Sequence, residues 1–327
     1  MTLLKKARVI GLGHFLPSHV IHNDDLPIDL NTSDEWIFKR TGIKRRHFAK
    51  ADEKCSDLAI AAARDAIAMA DISPQKIDMV IVATSTPDDV YPATAGRVQS
   101  ALAIPACPFF DIQAVCAGFV YGLFLANQSI MLGAAKNILL IGSDINSRII
   151  DPADRSTYVL FGDGAGAMVL THSDDNGDKK SSGIINCKID GDGTMRDYLF
   201  VDGGISSNGT IGKVRMKGQE VFRSAVDKMS KVVEECLVMA ALSVGDIDWY
   251  VPHQANSRIM DAVCEKLKLD REKVISTVDE HANISAATIP VAMNIAYNEK
   301  KIKSGQLLAL SALGGGFVWG GALLRWG

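Results

Sequence analysis

The sequence of 327 residues has little of what marks several large protein classes. Its formal net charge is only −3, so it lacks the basic excess that nucleic-acid binding requires. Its six cysteines form no CxxC pair, which argues against a zinc site and a disulfide framework and favours a reducing cytosol. The N-terminus lacks the apolar core of a signal peptide. We therefore predict a cytoplasmic protein without a metal ion or a nucleic-acid partner.

Long apolar runs and nucleotide-binding motifs are also missing. The longest apolar stretch, 114–126, is shorter than the about 20 residues that a membrane span needs, and a buried core helix explains it better. The string GLGHFLP at 11–17 lacks the third glycine of GxGxxG, and FGDGAGA at 161–167 lacks the Lys-Ser/Thr of a P-loop. We therefore expect neither a membrane segment nor a bound nucleotide cofactor.

What the chain does contain is the same order of segments in two halves. In the first half a helical pattern at 56–70 leads through a turn into the apolar run IDMVIVA at 77–83. In the second half a helical period over 221–240 leads in the same way into IDWYVP at 247–252. Each half then continues with another apolar strand (137–143 and 307–312) and ends on a Gly-rich turn that enters an apolar run (161–170 and 314–326).

We interpret this order as a duplication, for which chance similarity among α/β segments is the alternative. Short, non-alternating apolar strands between helices are typical of parallel sheets buried on both faces. The sequence therefore predicts two βαβ-rich halves that pack through shared helices. The polar segment 171–182 contains many turn formers, and we place the boundary there, between halves of 1–175 and 176–327.

Three residues carry chemistry suited to catalysis. Cys116 follows a strand-like run and begins a strongly apolar helix, whose dipole is expected to lower the pKa of the thiol; a small core residue is the plainer alternative. His253 directly follows the strand IDWY, and ligands gather at strand ends in α/β folds. Asn283 is either a helix cap or a permanent neutral N–H donor, with His281 in support. The Gly-rich run 313–321 is expected to line a site with backbone N–H groups.

Six strings, in order from Thr32 to the C-terminus, resemble the β-ketoacyl-acyl-carrier-protein synthase III family. They are TSDEWIFKRTGIKRRH, AVCAGFVYG, DRSTYVLFGDGAGA, PHQANSRI, HANISAATIP and GGGFVWGGAL. The resemblance implies the duplicated thiolase fold and a homodimeric acyltransferase that initiates fatty-acid synthesis without a permanently bound cofactor. Its expected substrates are an acyl-CoA primer, most simply acetyl-CoA, and malonyl-acyl carrier protein. A specialised enzyme for branched, longer or secondary-metabolite primers is the alternative within this fold.

The resemblance also implies roles for the three candidate residues. Cys116 corresponds to the nucleophile of the family, and His253 and Asn283 correspond to its two partners. Asn at 283 separates the chain from elongating synthases, thiolases and hydroxymethylglutaryl-CoA synthases, which place His, Cys and Glu there. The backbone N–H groups of Cys116 and Gly315 are implied to bind the oxyanion. A thiol hydrolase and a non-catalytic subunit that binds acyl carrier protein are the alternatives outside this class.

Binding residues follow from the same resemblance. Trp36 is expected to stack on the adenine of coenzyme A, with Arg155 on its other face. The acyl pocket is expected to involve Phe317 and, contributed across the subunit interface, Tyr91, where Phe is commoner in the family. Further coenzyme A contacts are expected at Thr32, Arg40, Gly218, Phe222, Ala255 and Asn256. Docking of the acidic acyl carrier protein is expected at Gln254, Ala255, Asn256, Ser257 and Arg258.

Overall fold

The computed structural model describes residues 5–174 and 181–327. Strands β1–β13 are Lys5–Phe15, His19–His22, Arg45–Phe48, Met79–Ala83, Phe109–Ile112, Asn137–Ile145, Asp163–Asp174, Gly183–Gly191, Leu199–Val201, Val214–Met216, Trp249–Pro252, Leu307–Gly314 and Val318–Arg325. Helices α1–α9 are Asp34–Thr41, Cys55–Ala70, Thr94–Ala101, Gly118–Met131, Arg155–Tyr158, Gly218–Ala240, Ser257–Leu267, Val278–His281 and Thr288–Asn298.

The two halves build sheets on the same plan. The first sheet has the order β1-β7-β6-β4-β5 and the second has the order β8-β13-β12-β11. The corresponding pairs β4 with β6 and β11 with β12 are parallel, and the next two pairs in each sheet are antiparallel. In the first sheet β4 also pairs in parallel with β5. The place of β5 is taken in the second sheet by one parallel bridge between Tyr250 and Val274. The predicted duplication is confirmed.

The prediction of parallel sheets is wrong for the strands formed by the Gly-rich runs, β7 and β13. Both lie antiparallel to the strand that precedes them in the sheet. The short turn 315–317 joins β12 to β13, and a turn of this length can only reverse the chain, whereas a parallel neighbour needs a long crossover.

Strand β7 extends to Asp174 and so includes the first residues of the polar segment 171–182, which was predicted to link the two halves. Strand β7 continues through Thr171 and His172 because these residues pair with Arg8 and Ala7 of β1. Pairing satisfies the backbone hydrogen bonds of these residues even though their side chains are typical of a turn. The predicted boundary between 175 and 176 lies outside the described residues.

Two helices lie between the sheets, as predicted. Helix α4 contacts β1 and β6 of the first sheet and β8 and β13 of the second, and α9 contacts β1, β7 and β11. Gly122 allows this close approach, since a Cβ atom there would lie 2.4 Å from a methyl carbon of Leu140. Helix α2 covers the outer face of the first sheet, and α6 packs on the second. Among the described helices, none has the length and apolar character needed to cross a bilayer.

Candidate active site

Cys116 lies in a single 3₁₀ turn, Val115–Ala117, between the end of β5 and the start of α4. The preceding residue, Val115, has φ of +47°, a left-handed conformation that β-branched residues rarely adopt. Such strain is found where the surrounding fold holds a functional group in place. The fold buries the residue almost completely, with 5% of Cys116 exposed.

The prediction that the Cys116 thiol has a lowered pKa is wrong for the folded chain. Burial raises the pKa of this thiol to about 12, because a thiolate loses its hydration there. The nearby Ser285 side chain lowers this pKa, the negative charge of Asp144 raises it, and the Asn283 side chain also lowers it. Desolvation therefore outweighs the helix dipole, and the thiol must lose a proton before it can attack a thioester.

His253 lies directly after β11 and is 2% exposed. Its backbone N–H donates to the carbonyl of Ser311 at 2.8 Å, which ties it to β12. Its Nδ1 lies 2.7 Å from the Oγ1 of Thr288, at the start of α9. Burial, assisted by His281, lowers the pKa of His253 to about 3. The imidazole is therefore neutral at physiological pH.

Asn283 is held by its backbone and by one side-chain oxygen. Its N–H donates to the carbonyl of Leu160 at 2.9 Å, and its carbonyl accepts from Gly162 at 3.0 Å. The Oδ1 accepts the N–H of Ser285 at 2.9 Å, and the side chain lowers the pKa of the Cys116 thiol. The side-chain oxygen therefore caps a short local turn, while the role of the amide nitrogen as a neutral donor stays a prediction.

These contacts bring the candidate residues into one cluster by two routes. The Asn283 side chain lowers the pKa of the Cys116 thiol, which places it close to the sulfur. His253 is connected through Thr288, whose hydroxyl lies 3.1 Å from the carbonyl of Ser285, and Ser285 lines the same cavity as Cys116. Residues that are far apart in the sequence therefore converge where β5 and β11 end and α9 begins.

A cavity of about 530 Å³ opens beside Cys116. Gly315 lines it together with Cys116, so the two backbone positions predicted to bind an oxyanion border the same space. Gly314 is packed against this wall, since a Cβ atom there would lie 3.1 Å from the Cys116 nitrogen. Most other lining side chains are apolar, including Ile149, Phe161, Leu199, Phe200, Val201, Ile211, Val214 and Val318.

A second cavity, of about 500 Å³, is lined by residues that are predicted to contact coenzyme A or acyl carrier protein. These residues are Arg40, Gly218, Phe222, Asn256 and Arg258. Of the remaining predicted contacts, Thr32 is half-buried, with a hydroxyl that lacks a hydrogen bond among the described residues, and Ala255 is half-buried beside His253.

The indole of Trp36 lies between two guanidinium groups near this second cavity. Arg40 is 4.3 Å and Arg155 is 4.8 Å from the ring centroid. Arg155 also donates to the carbonyl of Asn31 at 2.7 Å, which anchors it there. Arg40 and Arg155 are exposed and Trp36 is half-buried, so together they form a surface that is both cationic and aromatic.

Gln254 does not fit the docking role predicted for it. It is completely buried, and its amide group donates to the carbonyls of Pro252 and Ile275 and accepts from the N–H of Thr277. Its side chain stabilises the end of β11 and cannot reach a partner. Asn256 caps α7 through the N–H of Ile259, whereas Ser257 is half-buried at the start of that helix.

Among the docking candidates Arg258 is the exposed one. Its guanidinium carbon lies 5.8 Å from the ring centroid of Phe222. Lys213 and Arg215, by contrast, are engaged within the chain: Lys213 donates to the carbonyl of Arg148, and Arg215 pairs with two aspartates, Asp151 and Asp202. Arg258 is therefore available to an acidic partner on this side, whereas Lys213 and Arg215 are engaged within the chain.

The two acyl-pocket candidates have different surroundings. Tyr91 is 85% exposed on a loop of the single chain. Phe317 is 1% exposed and packs edge-on against Tyr198, with ring centroids 5.9 Å apart. Gly316 and Val318 line the cavity beside Cys116 and Phe317 lies between them, so its role in the acyl pocket stays a prediction. Its side chain is turned into the core of the second half.

Three polar residues of the cluster were not predicted from the sequence: Asp144, Ser285 and Thr288. Asp144 is completely buried near the end of β6, and its carboxylate accepts the N–H of Ser85 at 2.7 Å. The signal was available, because Asp144 follows the buried strand NILLIGS in the same way that His253 follows IDWY. Ser285 and Thr288 lie within the string HANISAATIP, behind Asn283.

The duplicated sheets, and a cysteine, histidine and asparagine gathered where their strands end, define a condensing enzyme of the thiolase type. The family model for 3-oxoacyl-[acyl-carrier-protein] synthase III matches residues 110–193, and the model for its C-terminal part matches 237–326. A β-ketoacyl-[acyl-carrier-protein] synthase III of Rhizorhabdus wittichii is 50% identical and covers 99% of this chain and 100% of its own. This chain therefore belongs to the 3-oxoacyl-acyl-carrier-protein synthase III family of acyltransferases.

Solved structures agree with this assignment. A 3-oxoacyl-[acyl-carrier-protein] synthase III from Aquifex aeolicus superposes with a TM-score of 0.92 and 42% identity, covering 98% of this chain and 100% of its own. The priming β-ketosynthase of the R1128 polyketide pathway has a TM-score of 0.93 and 30% identity, covering 100% and 98%. The predicted thiolase fold is confirmed.

Proposed function

We propose that this enzyme condenses a short acyl-CoA, most simply acetyl-CoA, with malonyl-acyl carrier protein through an acyl thioester on Cys116. The observation that supports this most directly is that the buried Cys116 and the backbone of Gly315 line one cavity of about 530 Å³. The substrates bring the reactive thioesters themselves, so the proposal includes no resident cofactor.

In the first half-reaction the Cys116 sulfur attacks the carbonyl carbon of the acyl-CoA. The developing oxyanion is bound by the backbone N–H groups of Cys116 and Gly315, which border the same cavity. Each such donor is worth about 3 kcal/mol of transition-state stabilisation. Coenzyme A then leaves as a thiolate, and the acyl group remains on the enzyme.

In the second half-reaction a malonyl thioester loses CO₂ and leaves an enolate. The enolate oxygen needs hydrogen-bond donors rather than a base, and His253 and Asn283 are assigned this role. Both groups are neutral, His253 because burial lowers its pKa to about 3. The enolate carbon attacks the acyl group, which releases the Cys116 sulfur. Using one site for two half-reactions predicts ping-pong kinetics.

Coenzyme A is proposed to bind along the second cavity, with its adenine on Trp36. Arg155 already lies 4.8 Å from the Trp36 centroid, so the base inserts by moving this side chain or by stacking outside it. Arg258, exposed at the same cavity, is proposed to attract the acidic acyl carrier protein.

We also propose a cytoplasmic homodimer. Strand β5 is an edge strand of the first sheet, and unpaired edges are usually covered in native proteins. Apolar side chains are exposed near it: Phe109 at 41%, Val90 at 73% and Tyr91 at 85%. Across this interface Tyr91 would approach the acyl pocket of the other subunit. All six cysteines are unpaired, as expected in a reducing compartment.

A specialised primer is the second candidate. The cavity of about 530 Å³ is much larger than an acetyl group requires, and the R1128 priming ketosynthase is a structural neighbour. A hydroxyl at Tyr91 would change the wall of the pocket for branched or longer chains.

Intact-mass measurement with a panel of acyl-CoA primers tests the proposal. We expect one acetyl group per chain, lost in Cys116→Ser and retained in the control Cys107→Ser, and a 3-oxoacyl product after malonyl-acyl carrier protein is added. Loading of only branched or long primers would favour the second candidate. Steady hydrolysis of acyl-CoA without a condensed product would overturn both.

A further inference from the structure

Ser285 is a buried hydroxyl beside the nucleophile without a hydrogen bond of ordinary geometry among the described residues. It is 2% exposed and lines the cavity together with Cys116. Its φ of +53° is in the left-handed region, which is strained for a serine. An unpaired buried polar group costs about 1–3 kcal/mol, and a fold that keeps one usually uses it.

Two groups lie near this hydroxyl. The residue borders the cavity beside Cys116, and the N–H of the next residue, Ala286, lies 3.5 Å from the Asp144 carboxylate, so Ser285 is placed between the two groups. Ser285 also lowers the pKa of both groups. Ser285 is held there independently of both, because its N–H donates to Asn283 and its carbonyl accepts from Thr288.

One carboxylate oxygen of Asp144 accepts several hydrogen bonds, and the other can still accept one. Its Oδ1 accepts from the N–H of Ser85 at 2.7 Å and from the hydroxyls of Thr84 at 3.2 Å and Thr86 at 3.1 Å. Its Oδ2 has only a distant contact, 3.5 Å, with the N–H of Ala286. The hydrogen-bond partners of this completely buried carboxyl are neutral, so a proton on it would relieve the cost of burying its charge.

We propose that Ser285 and Asp144 form a proton relay that accepts the Cys116 proton during acyl loading, which rests on the proposed function. The thiol proton moves to the Ser285 oxygen while the Ser285 hydroxyl proton moves to Asp144. The sulfur forms a bond to the acyl carbon, and the bond from that carbon to the coenzyme A sulfur breaks. In this proposal Ser285 exchanges a proton directly with the reacting sulfur, which makes it a catalytic residue, and Asp144 is the final acceptor of that proton.

The proton relay returns to its starting state in the second half-reaction. Coenzyme A leaves as a thiolate and takes a proton from water. When the enolate displaces the acyl group, Cys116 leaves as a thiolate and recovers its own proton from Asp144 through Ser285. One solvent proton is thus consumed in each turnover, which balances the loss of the malonyl carboxylate as CO₂.

Other titratable groups face this relay and define the competing outcome. His253 is connected to Ser285 through Thr288 and is the alternative acceptor of the thiol proton. The thiol of Cys55 lies 3.2 Å from the Ser143 carbonyl and 3.4 Å from Thr84, beside Asp144. Burial raises the pKa of Cys55 to about 12, so it stays neutral over the range that matters.

The test separates the two half-reactions. Ser285→Ala and Ser285→Gly both remove the hydroxyl, and glycine also relaxes the φ of +53°, so equal effects would isolate the hydroxyl from the backbone. We expect both, and Asp144→Asn, to slow acyl loading from acyl-CoA at least tenfold by rapid-quench intact mass. Decarboxylation of malonyl-acyl carrier protein, measured in a Cys116→Ala background, should fall by a smaller factor than loading does.

The pH profile distinguishes a relay from a structural role. Since Asp144 must be ionised to accept a proton, loading by the wild type should fall as pH drops through its pKa, which burial raises. This dependence should vanish in Asp144→Asn. Normal loading in Ser285→Ala, or equal losses in both half-reactions, would overturn the relay. Loss of loading only in His253→Ala would make His253 the acceptor. If wild type forms no acyl-Cys116, the proposed function itself fails.

Discussion

The groups closest to the Cys116 sulfur combine neutral side chains with one carboxyl group. Ser285 and Asn283 lower the pKa of the thiol, whereas the negative charge of Asp144 raises it. His253 is neutral because its pKa is lowered to about 3. Neutral donors stabilise the negative charge that the substrate develops in the transition state.

Thr288 controls the orientation of His253 and provides a first residue-scale prediction. Replacing Thr288 by Val removes the hydroxyl 2.7 Å from Nδ1 at nearly constant volume. Because a supporting hydrogen bond of this kind is worth about 10–100-fold in activity, we expect kcat for condensation to fall by that factor with KM little changed. Thr288→Ser, which keeps the hydroxyl, is the control. Unchanged kcat in Thr288→Val would show that the backbone alone orients the ring.

A second residue-scale prediction concerns Asp163, at the start of β7. Burial raises the pKa of its carboxyl to about 6, against opposing hydrogen bonds from Ser147 and Ala49. The folded chain therefore holds this proton between the unfolded pKa of 3.8 and about 6, where the unfolded chain releases it. The contribution of Asp163 to stability consequently falls as pH rises through this window.

Urea unfolding of the wild type and Asp163→Asn measures this effect. The free energy of unfolding of the wild type, relative to the variant, should be about 1 kcal/mol smaller at pH 7.5 than at pH 5. The difference should stay constant above pH 7.5, where Asp163 is ionised in both states. A difference that does not change between pH 5 and 7.5 would contradict the raised pKa.

At the scale of elements, the active site depends on how closely strand ends approach the 3₁₀ turn Ser285–Ala287. A Cβ atom on Gly142 of β6 would lie 2.5 Å from the carbonyl oxygen of Ala286. The obstacle is backbone, so the turn that carries Ser285 has to move. Glycine at this position therefore serves the geometry of the site as well as the packing of the sheet.

Gly142→Ala should consequently affect both properties. We expect a loss of about 1–3 kcal/mol in the free energy of unfolding, from overpacking, together with slower acyl loading of Cys116. Gly193→Ala is the matched control, since no atom lies within 4 Å of the position of its Cβ. Thermal unfolding and intact-mass loading assays on both variants check the expectation. Normal loading in a destabilised Gly142→Ala would show that the turn does not depend on this contact.

At the scale of the whole molecule, the uncovered edge of β5 predicts the oligomeric state. The wild type should sediment with twice the 35.2 kDa mass of the chain. Phe109→Glu places a charge among the exposed apolar side chains of this edge and should yield the monomer mass. Val238→Glu, at a position 77% exposed on α6, is the control and should remain a dimer. Dimeric Phe109→Glu would move the interface elsewhere.

Local patterns in the chain were enough for the α/β class and the internal duplication, because apolar periodicity reports which residues avoid water. They also marked Cys116 and His253 as candidates near strand ends. The choice of these two together with Asn283, and their roles, came from the family resemblance. The bounds of helices α2 and α6 follow the predicted ranges, since the spacing of apolar residues in each segment marks the buried face of the helix.

Contacts between distant segments decided the remainder. The antiparallel β7 and β13, the burial of Gln254 and Phe317, and the raised pKa of Cys116 depend on what packs against each group, which residue order does not contain. Desolvation in particular is a property of the surrounding volume. Only the folded chain brings Asp144 and Ser285 near the sulfur, because Asp144 belongs to β6 and Ser285 to the turn before α9, which are far apart in the sequence.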